Sequence, residues 1–332
     1  MLPTPKTAAV WIRQDQQPLV QRAFRDRGVR MLAAGGPDRP RLDLGQEADA
    51  DDIRSLLEAD AAGIIIIGDP GTFADGTDPT HLRTLLNATR RTSTVLTIEP
   101  IPPRSTDTAH PSWRDASDVA RERVAQVPML RRGAAWRTAA DLLESFGPID
   151  AISLHLAGPR RFGSLGARLG EAADLLTWLL GAPLAVDATH TPAGPERSRA
   201  ESLRGLHGHL AAVFRFEHGQ SASLFATDQA GDWRRSTILL GPAGRLDVTD
   251  TDITWTDPAG LALEKLTTQL DAARLGESVF ADEAGAVLGD APRLPPIDAN
   301  RVLATAHAAV LSLTTGHPED PRALERIAGM PT

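Results

Sequence analysis

The chain has 332 residues, 42% of them hydrophobic, and a net charge of −8 from 43 acidic and 35 basic side chains; cysteine and tyrosine are both absent. That length and apolar share suit two domains with substantial cores, while the acidic balance excludes a basic nucleic-acid-binding stripe and the missing residues exclude disulfides, thiolate metal sites, cysteine nucleophiles and a tyrosine general acid. Met1 to Ile12 lacks a basic-then-apolar leader pattern and the longest apolar runs fall well short of the ~20 residues a membrane span needs, so a cytoplasmic protein with no membrane or nucleic-acid partner is expected.

The first part alternates short apolar runs with helical spacing. Ala8 to Ile12 reads as a strand, and Pro18 to Arg27 as a helix with Leu19, Val20, Ala23 and Phe24 on one face. Gly28 punctuates, and Val29 to Ala34 is the second strand. Ala48 to Asp60 is predicted helical, with the acidic cluster Asp49, Asp51 and Asp52 at its start. Ala62 to Ile67 carries four consecutive isoleucines, as a parallel strand buried on both faces requires. Thr80 to Arg90 is helical, and Thr94 to Ile98 is the next strand, running into Glu99-Pro100. This rhythm is that of a doubly wound parallel sheet. Pro100 to Thr108, rich in Pro, Ser and Thr, reads as a crossing between domains. Trp113 to Val127 is expected to add a helix, Val127 to Leu130 a last strand, and Trp136 to Phe146 a helix closed by Gly147-Pro148.

Beyond this point the period changes to two. Ile149 to Leu156 alternates. Leu206 to Glu217 sets Leu206, Leu210, Ala212, Phe214 and Phe216 against His207, His209, Val213, Arg215 and Glu217. The turn at His218-Gly219-Gln220 leads into Ser221 to Ala226, making a hairpin with one buried face. Trp233 to Leu240, Gly244 to Thr249 and Asp252 to Thr256 are further strands, and Asn300 to Thr314 is a terminal amphipathic helix. The predicted fold is therefore α/β: a degenerate Rossmann-like parallel domain (1–130), then an α+β domain (131–332) with a large, mostly antiparallel open sheet.

Several segments carry a resemblance. Gly147 to Leu154 (GPIDAISL), Ala173 to Gly181 (ADLLTWLLG), His209 to Gly219 (HLAAVFRFEHG), Ile238 to Asp247 (ILLGPAGRLD) and Ala309 to Glu319 (AVLSLTTGHPE), together with the Ile-Glu-Pro strand end, resemble the glucose–fructose oxidoreductase / inositol dehydrogenase (Gfo/Idh/MocA) family over most of the chain. The resemblance implies an NAD(P)-dependent sugar or polyol oxidoreductase that pairs with copies of itself through its open sheet face. The residues that implied chemistry needs are replaced. Where the family has Glu-Lys-Pro, with the lysine assisting proton transfer, Ile98-Glu99-Pro100 reverses the charge at the reaction centre. Where a family helix carries Asp, His four residues on and Asp three further, this chain has Ala167, Glu171 and Asp174. In place of the glycine-rich phosphate loop stands Trp11 to Pro18, so Arg13, Gln14, Asp15, Gln16 and Gln17 occupy positions where glycines would let a pyrophosphate approach the backbone. The second strand ends in Gly35-Gly36, with no acid for the ribose hydroxyls.

The expected function is that of a non-catalytic relative that binds a sugar-like ligand or serves as partner to an active paralogue. It is expected to be a homo-oligomer with no cofactor, NAD(P) entering only if the family activity is retained. Two alternatives stand beside it: an active oxidoreductase with rearranged catalytic residues, and a cofactor-independent carbohydrate lyase or hydrolase using Glu99, Glu171 and Asp174 as clustered carboxylates. Arg131-Arg132 and Arg160-Arg161 read first as exposed loop arginines, with pairing to those acids or holding an anionic ligand as the alternatives. His207, His209 and His218 read as a solvated or subunit-facing sheet surface rather than a metal site, and no metal is expected. Trp113, Trp136 and Trp178 read as core packing.

Overall fold

The computed structural model describes residues 7–25, 28–36, 48–49, 63–68, 94–99, 124–194, 203, 206–290 and 298–327. The chain divides into two compact units. One comprises Met1–Val127 with Phe280–Pro296, the other Pro128–Val279 with Ile297–Thr332.

The first unit is built on a six-stranded sheet of β1 (Thr7–Trp11), β2 (Arg30–Gly35), β3 (Ala48–Asp49), β4 (Ile64–Ile67), β5 (Thr94–Thr97) and β6 (Val124–Gln126). The spatial order is β3-β2-β1-β4-β5-β6 and every pairing is parallel. All four isoleucines of β4 are buried, as a strand covered on both faces demands. Helix α1 (Gln17–Arg25) buries Leu19, Val20, Ala23 and Phe24. Its end is set by Gly28 at φ 63, where the amide of Gly28 bonds the carbonyl of Arg25 and that of Val29 the carbonyl of Phe24. A side chain at such a left-handed position would be strained. The order reverses between β1 and β4, the topological switch point that doubly wound sheets use for ligands.

The second unit has helices α2 (Ala134–Phe146) and α3 (Leu165–Leu180) and strands β7 (Ala151–Pro159), β8 (Ala185–Pro192), β9 (Gly208–Arg215), β10 (Ser221–Thr227), β11 (Gln229–Gly241), β12 (Gly244–Thr249), β13 (Asp252–Thr256) and β14 (Ala262–Thr267). Helix α4 (Leu275–Gly285) begins in this unit and ends in the first, and α5 (Ala299–Thr315) and α6 (Pro321–Ile327) close the described chain. The sheet order is β14-β13-β12-β11-β7-β10-β9-β8, antiparallel except for β7 beside β10. Helix α2 packs on β12 and β13, α3 on β9 and β10, and α5 on β8 and α3. Strand β9 alternates strictly, Leu210, Ala212 and Phe214 inward and His209, Val213 and Arg215 outward, so one sheet face is core and the other is open. On the open face Phe225 stacks on His155 at 5.1 Å, with Val213 and Leu240 exposed nearby on the same side of the sheet. No helix among the described residues is long and apolar enough to cross a membrane.

Several sequence expectations are revised. Ala48–Asp49 is a strand paired with Ala33 and Ala34, not a helix start; the rest of the predicted helix to Asp60, the helix over 80–90, the crossing at 100–108 and Trp113 lie outside the described residues. The last strand of the first sheet is Val124–Gln126 rather than 127–130. Val127 still donates to Thr97, but Pro128 has no amide to continue the ladder, and Leu130–Arg132 forms a 3-10 turn. Strand β11 begins four residues earlier than Trp233, through a register shift between Gln229 and Arg234.

Candidate functional site

In the first unit, the turn between β1 and α1 carries the predicted cofactor positions. Arg13 is extended and precedes a 3-10 turn of Gln14, Asp15 and Gln16 that runs into α1 at Gln17. Arg13 Nε donates to Asp15 Oδ1 at 3.1 Å, so the two charges offset each other within the loop. The Gln16 side chain is wholly buried. Its Oε1 accepts from the Arg13 amide at 3.0 Å and its Nε2 donates to the Gly68 carbonyl at 3.2 Å, just past the end of β4. The amide of Gly68 in turn bonds the carbonyl of Trp11 at 2.7 Å. Glu99 sits nearly buried beyond the end of β5; Pro100 lies outside the described residues.

In the second unit, Glu171 and Asp174 lie on α3, and neither is a solvated acid. Asp174 Oδ2 accepts from Arg131 Nε at 2.6 Å, with both side chains 3% exposed. Glu171 Oε1 accepts from Arg235 Nη1 at 2.6 Å. Arg235 reaches on to Asp250 Oδ1, from Nε at 2.9 Å and from Nη2 at 2.5 Å, and Trp233 Nε1 donates to Asp250 Oδ2 at 2.8 Å. The guanidiniums of Arg235 and Arg168 lie 5.0 and 5.3 Å from the Trp233 ring centre, and Arg168 Nη2 donates to the Pro159 carbonyl at 3.3 Å. Two arginines and two carboxylates thus close a buried, charge-balanced cluster around one indole. Gly158 lies at its edge, where a Cβ would press on both Arg168 and Trp233 at 3.0 Å and force them to shift. Burial raises the Glu171 carboxyl above its usual value, opposed by Arg235 and Arg168. Burial likewise raises Asp174, opposed by Arg131.

Arg131 is therefore a partner of the predicted acid rather than a loop arginine, while Arg160 and Arg161 are exposed, the latter lying 4.9 Å from the Phe162 ring centre. Trp136 is buried in the core and packs edge to face at 6.2 Å on Trp178, which is only partly buried.

Sequence reasoning missed Arg235, Asp250 and Arg168. The signal for Arg235 was present: between Trp233 and Leu239 every second residue points inward, and Arg235 is one of them. It also missed Asp228, whose carboxylate is fully buried. Asp228 accepts from His207 Nδ1 at 2.7 Å, from the Gly208 amide at 2.9 Å and from Gln229 Nε2 at 2.8 Å. Burial pushes Asp228 up, but these three donors outweigh it and hold the carboxyl below its usual range. His207 remains 38% exposed. His209 and His218 are exposed, and no group of His, Asp and Glu among the described residues has the geometry to hold a metal ion.

A parallel unit with its switch point at β1 and β4, followed by an open eight-stranded sheet backed by helices, defines a two-unit α/β protein. No family model matches the sequence, and no curated protein matches it. Solved structures do match in fold. A myo-inositol 2-dehydrogenase from Lactobacillus plantarum aligns with a TM-score of 0.68 at 17% identity, over 96% of this chain and 99% of that one. An oxidoreductase from Agrobacterium radiobacter in complex with NAD+, L-tartaric acid and magnesium aligns at 0.68 and 15%, over 97% and 100%. A levoglucosan dehydrogenase in complex with NADH and levoglucosan aligns at 0.66 and 14%, over 96% and 99%. The fold is that of these oxidoreductases, and the α/β class expected from the sequence is the one found.

Proposed function

We propose that the chain is a non-catalytic relative of the NAD(P)-dependent sugar and polyol oxidoreductases whose fold it shares, and that it works by binding a sugar-like ligand or a protein partner. One observation carries this reading. On α3, the two acids at the positions where the resembled family places its histidine and second aspartate are each spent on a buried arginine, Glu171 on Arg235 and Asp174 on Arg131. A general base must reach the proton it removes and hold a pKa near the working pH. A carboxylate clamped at 2.6 Å by a guanidinium inside the core cannot reach a substrate proton, even though burial raises its pKa. The same clamps count against the hydrolase or lyase alternative, which needs those two acids accessible.

A second reading, an active enzyme with relocated residues, is favoured by the His207–Asp228 pair. A buried carboxylate that fixes one ring nitrogen of a partly exposed histidine is the arrangement of an oriented general base. The test is a turnover assay. Purified protein is incubated with NAD+ or NADP+ and a panel of inositols, aldoses and sugar acids, and nucleotide reduction is followed by absorbance. No hydride transfer above the protein-free blank is expected. Turnover on the order of 1 s⁻¹, within the ordinary enzyme range, that is lost in His207→Gln would replace the proposal with the second reading.

A further inference from the structure

The shared fold implies a dinucleotide at the switch point, and the residues present there do not fit one. In a dinucleotide-binding turn, glycines bring the backbone against the pyrophosphate, and amides of the turn and helix start donate to its oxygens. Here the turn has no glycine, and one of its amides, that of Arg13, is already taken by Gln16 Oε1. The other end of the same side chain donates to the carbonyl of Gly68. Because β1 and β4 are the neighbours across which the strand order reverses, Gln16 spans the carboxyl ends of the two strands that frame the crevice. The fit is tight on the β4 side: a Cβ added at Gly68 would collide with Gln16 Oε1. The acid that would receive a ribose is replaced by Gly35 at the end of β2.

We infer that Gln16 closes the switch-point crevice from within, its amide oxygen taking the backbone donor that a phosphate oxygen would otherwise claim, so that this unit is a self-satisfied scaffold and not a dinucleotide site. The carboxamide suits this role because it is both acceptor and donor, and so satisfies an N–H on one strand end and a C=O on the other. A neutral group also needs no counter-charge in a wholly buried position. The inference deepens the non-catalytic reading and rests on it only in assigning the closed crevice a purpose.

The test combines ligand titration with hydrogen exchange on the full chain. In the wild type, NADH and NADPH up to 1 mM should give no saturable fluorescence change and should leave exchange over residues 11–17 unaltered. Gln16→Ala should speed exchange of the Arg13 amide tenfold or more. Gln16→Glu keeps the acceptor but loses the donor to Gly68, and should leave Arg13 protected while loosening Gly68. Gly68→Ala should lower the melting temperature in the wild type and have a smaller effect in a Gln16→Ala background. Saturable micromolar NADH binding by the wild type, or unchanged Arg13 exchange in Gln16→Ala, would overturn the inference. NADH binding without turnover overturns it alone, whereas turnover with NAD+ overturns the non-catalytic proposal as well.

Discussion

Consider the replacement of Asp174 by leucine. Asp174 and Arg131 form a 2.6 Å pair with both side chains 3% exposed, so water does not screen it. Leucine fills similar space but takes the Asp174 carboxylate away from the buried Arg131 guanidinium. Breaking a buried pair from one side typically costs about 3–5 kcal/mol, far more than the pair contributes relative to an apolar replacement of both members. At 2–4 °C per kcal/mol for a unit of this size, the melting temperature should fall by roughly 10 °C. Replacing both members, Arg131→Met with Asp174→Leu, should bring stability back to within about 1 kcal/mol of the wild type. The double-mutant cycle would then show a coupling of about 3 kcal/mol, at the upper end for residues in contact. The assay is denaturant unfolding followed by fluorescence, for which Trp136, Trp178, Trp233 and Trp255 all lie in the same unit as the pair. A loss under 1 kcal/mol in the single variant, or a double variant no more stable than the single, would refute the assignment of Asp174 as a structural partner.

Two further outcomes are expected. His307 on α5 is buried, neither ring nitrogen has a hydrogen-bond partner among the described residues, and burial lowers its pKa to about 4. Above pH 6.5 the ring is neutral whether folded or unfolded, and nothing is lost. Between pH 6.5 and 4 only the unfolded chain takes up the proton, so stability should decline by about 3 kcal/mol across that window, and denaturant midpoints measured against pH should show this slope flattened in His307→Leu; equal slopes in both proteins would reject the idea. The open sheet face should pair with a second copy of the chain: Phe225, 42% exposed and stacked on His155, is the position to charge, and Phe225→Glu should turn an oligomer into a monomer in light scattering. A wild type already monomeric at high concentration would remove that surface from consideration.

The parts of the fold that follow from repetition were legible in the sequence. The isoleucines of β4 and the strict alternation of β9 each declare their burial without reference to anything distant. Strand β14 was not legible, because it lies at the sheet edge with no buried residue and so imposes no pattern on its side chains. Strand β8 was hidden for a related reason: Asp187, Thr189 and Thr191 face outward and only Val186 and Ala188 are buried. The site was legible as a set of substitutions but not as a set of partners. Glu171 and Asp174 could be singled out on α3, yet their arginines come from 64 and 43 residues away in the chain. An ion pair across such a distance leaves no local period for a reader to detect. Gln16 was visible only as a missing glycine; that it spans to Gly68 depends on the packing of β1 beside β4.

The first unit is discontinuous, since its closing segment, Phe280–Pro296, is encoded after most of the second unit. A ribosome making this chain at roughly 5–20 residues per second releases β1 to β6 well before that segment exists. The amino-terminal unit must wait, its sheet strands made but its last segment missing, for about 150 residues of intervening chain, on the order of ten seconds or more at those rates. A truncation after residue 127 would hold the chain in that unfinished condition permanently. The two halves should therefore be inherited, expressed and lost together, and a gene split at the apparent boundary would yield one fragment lacking part of its own interior.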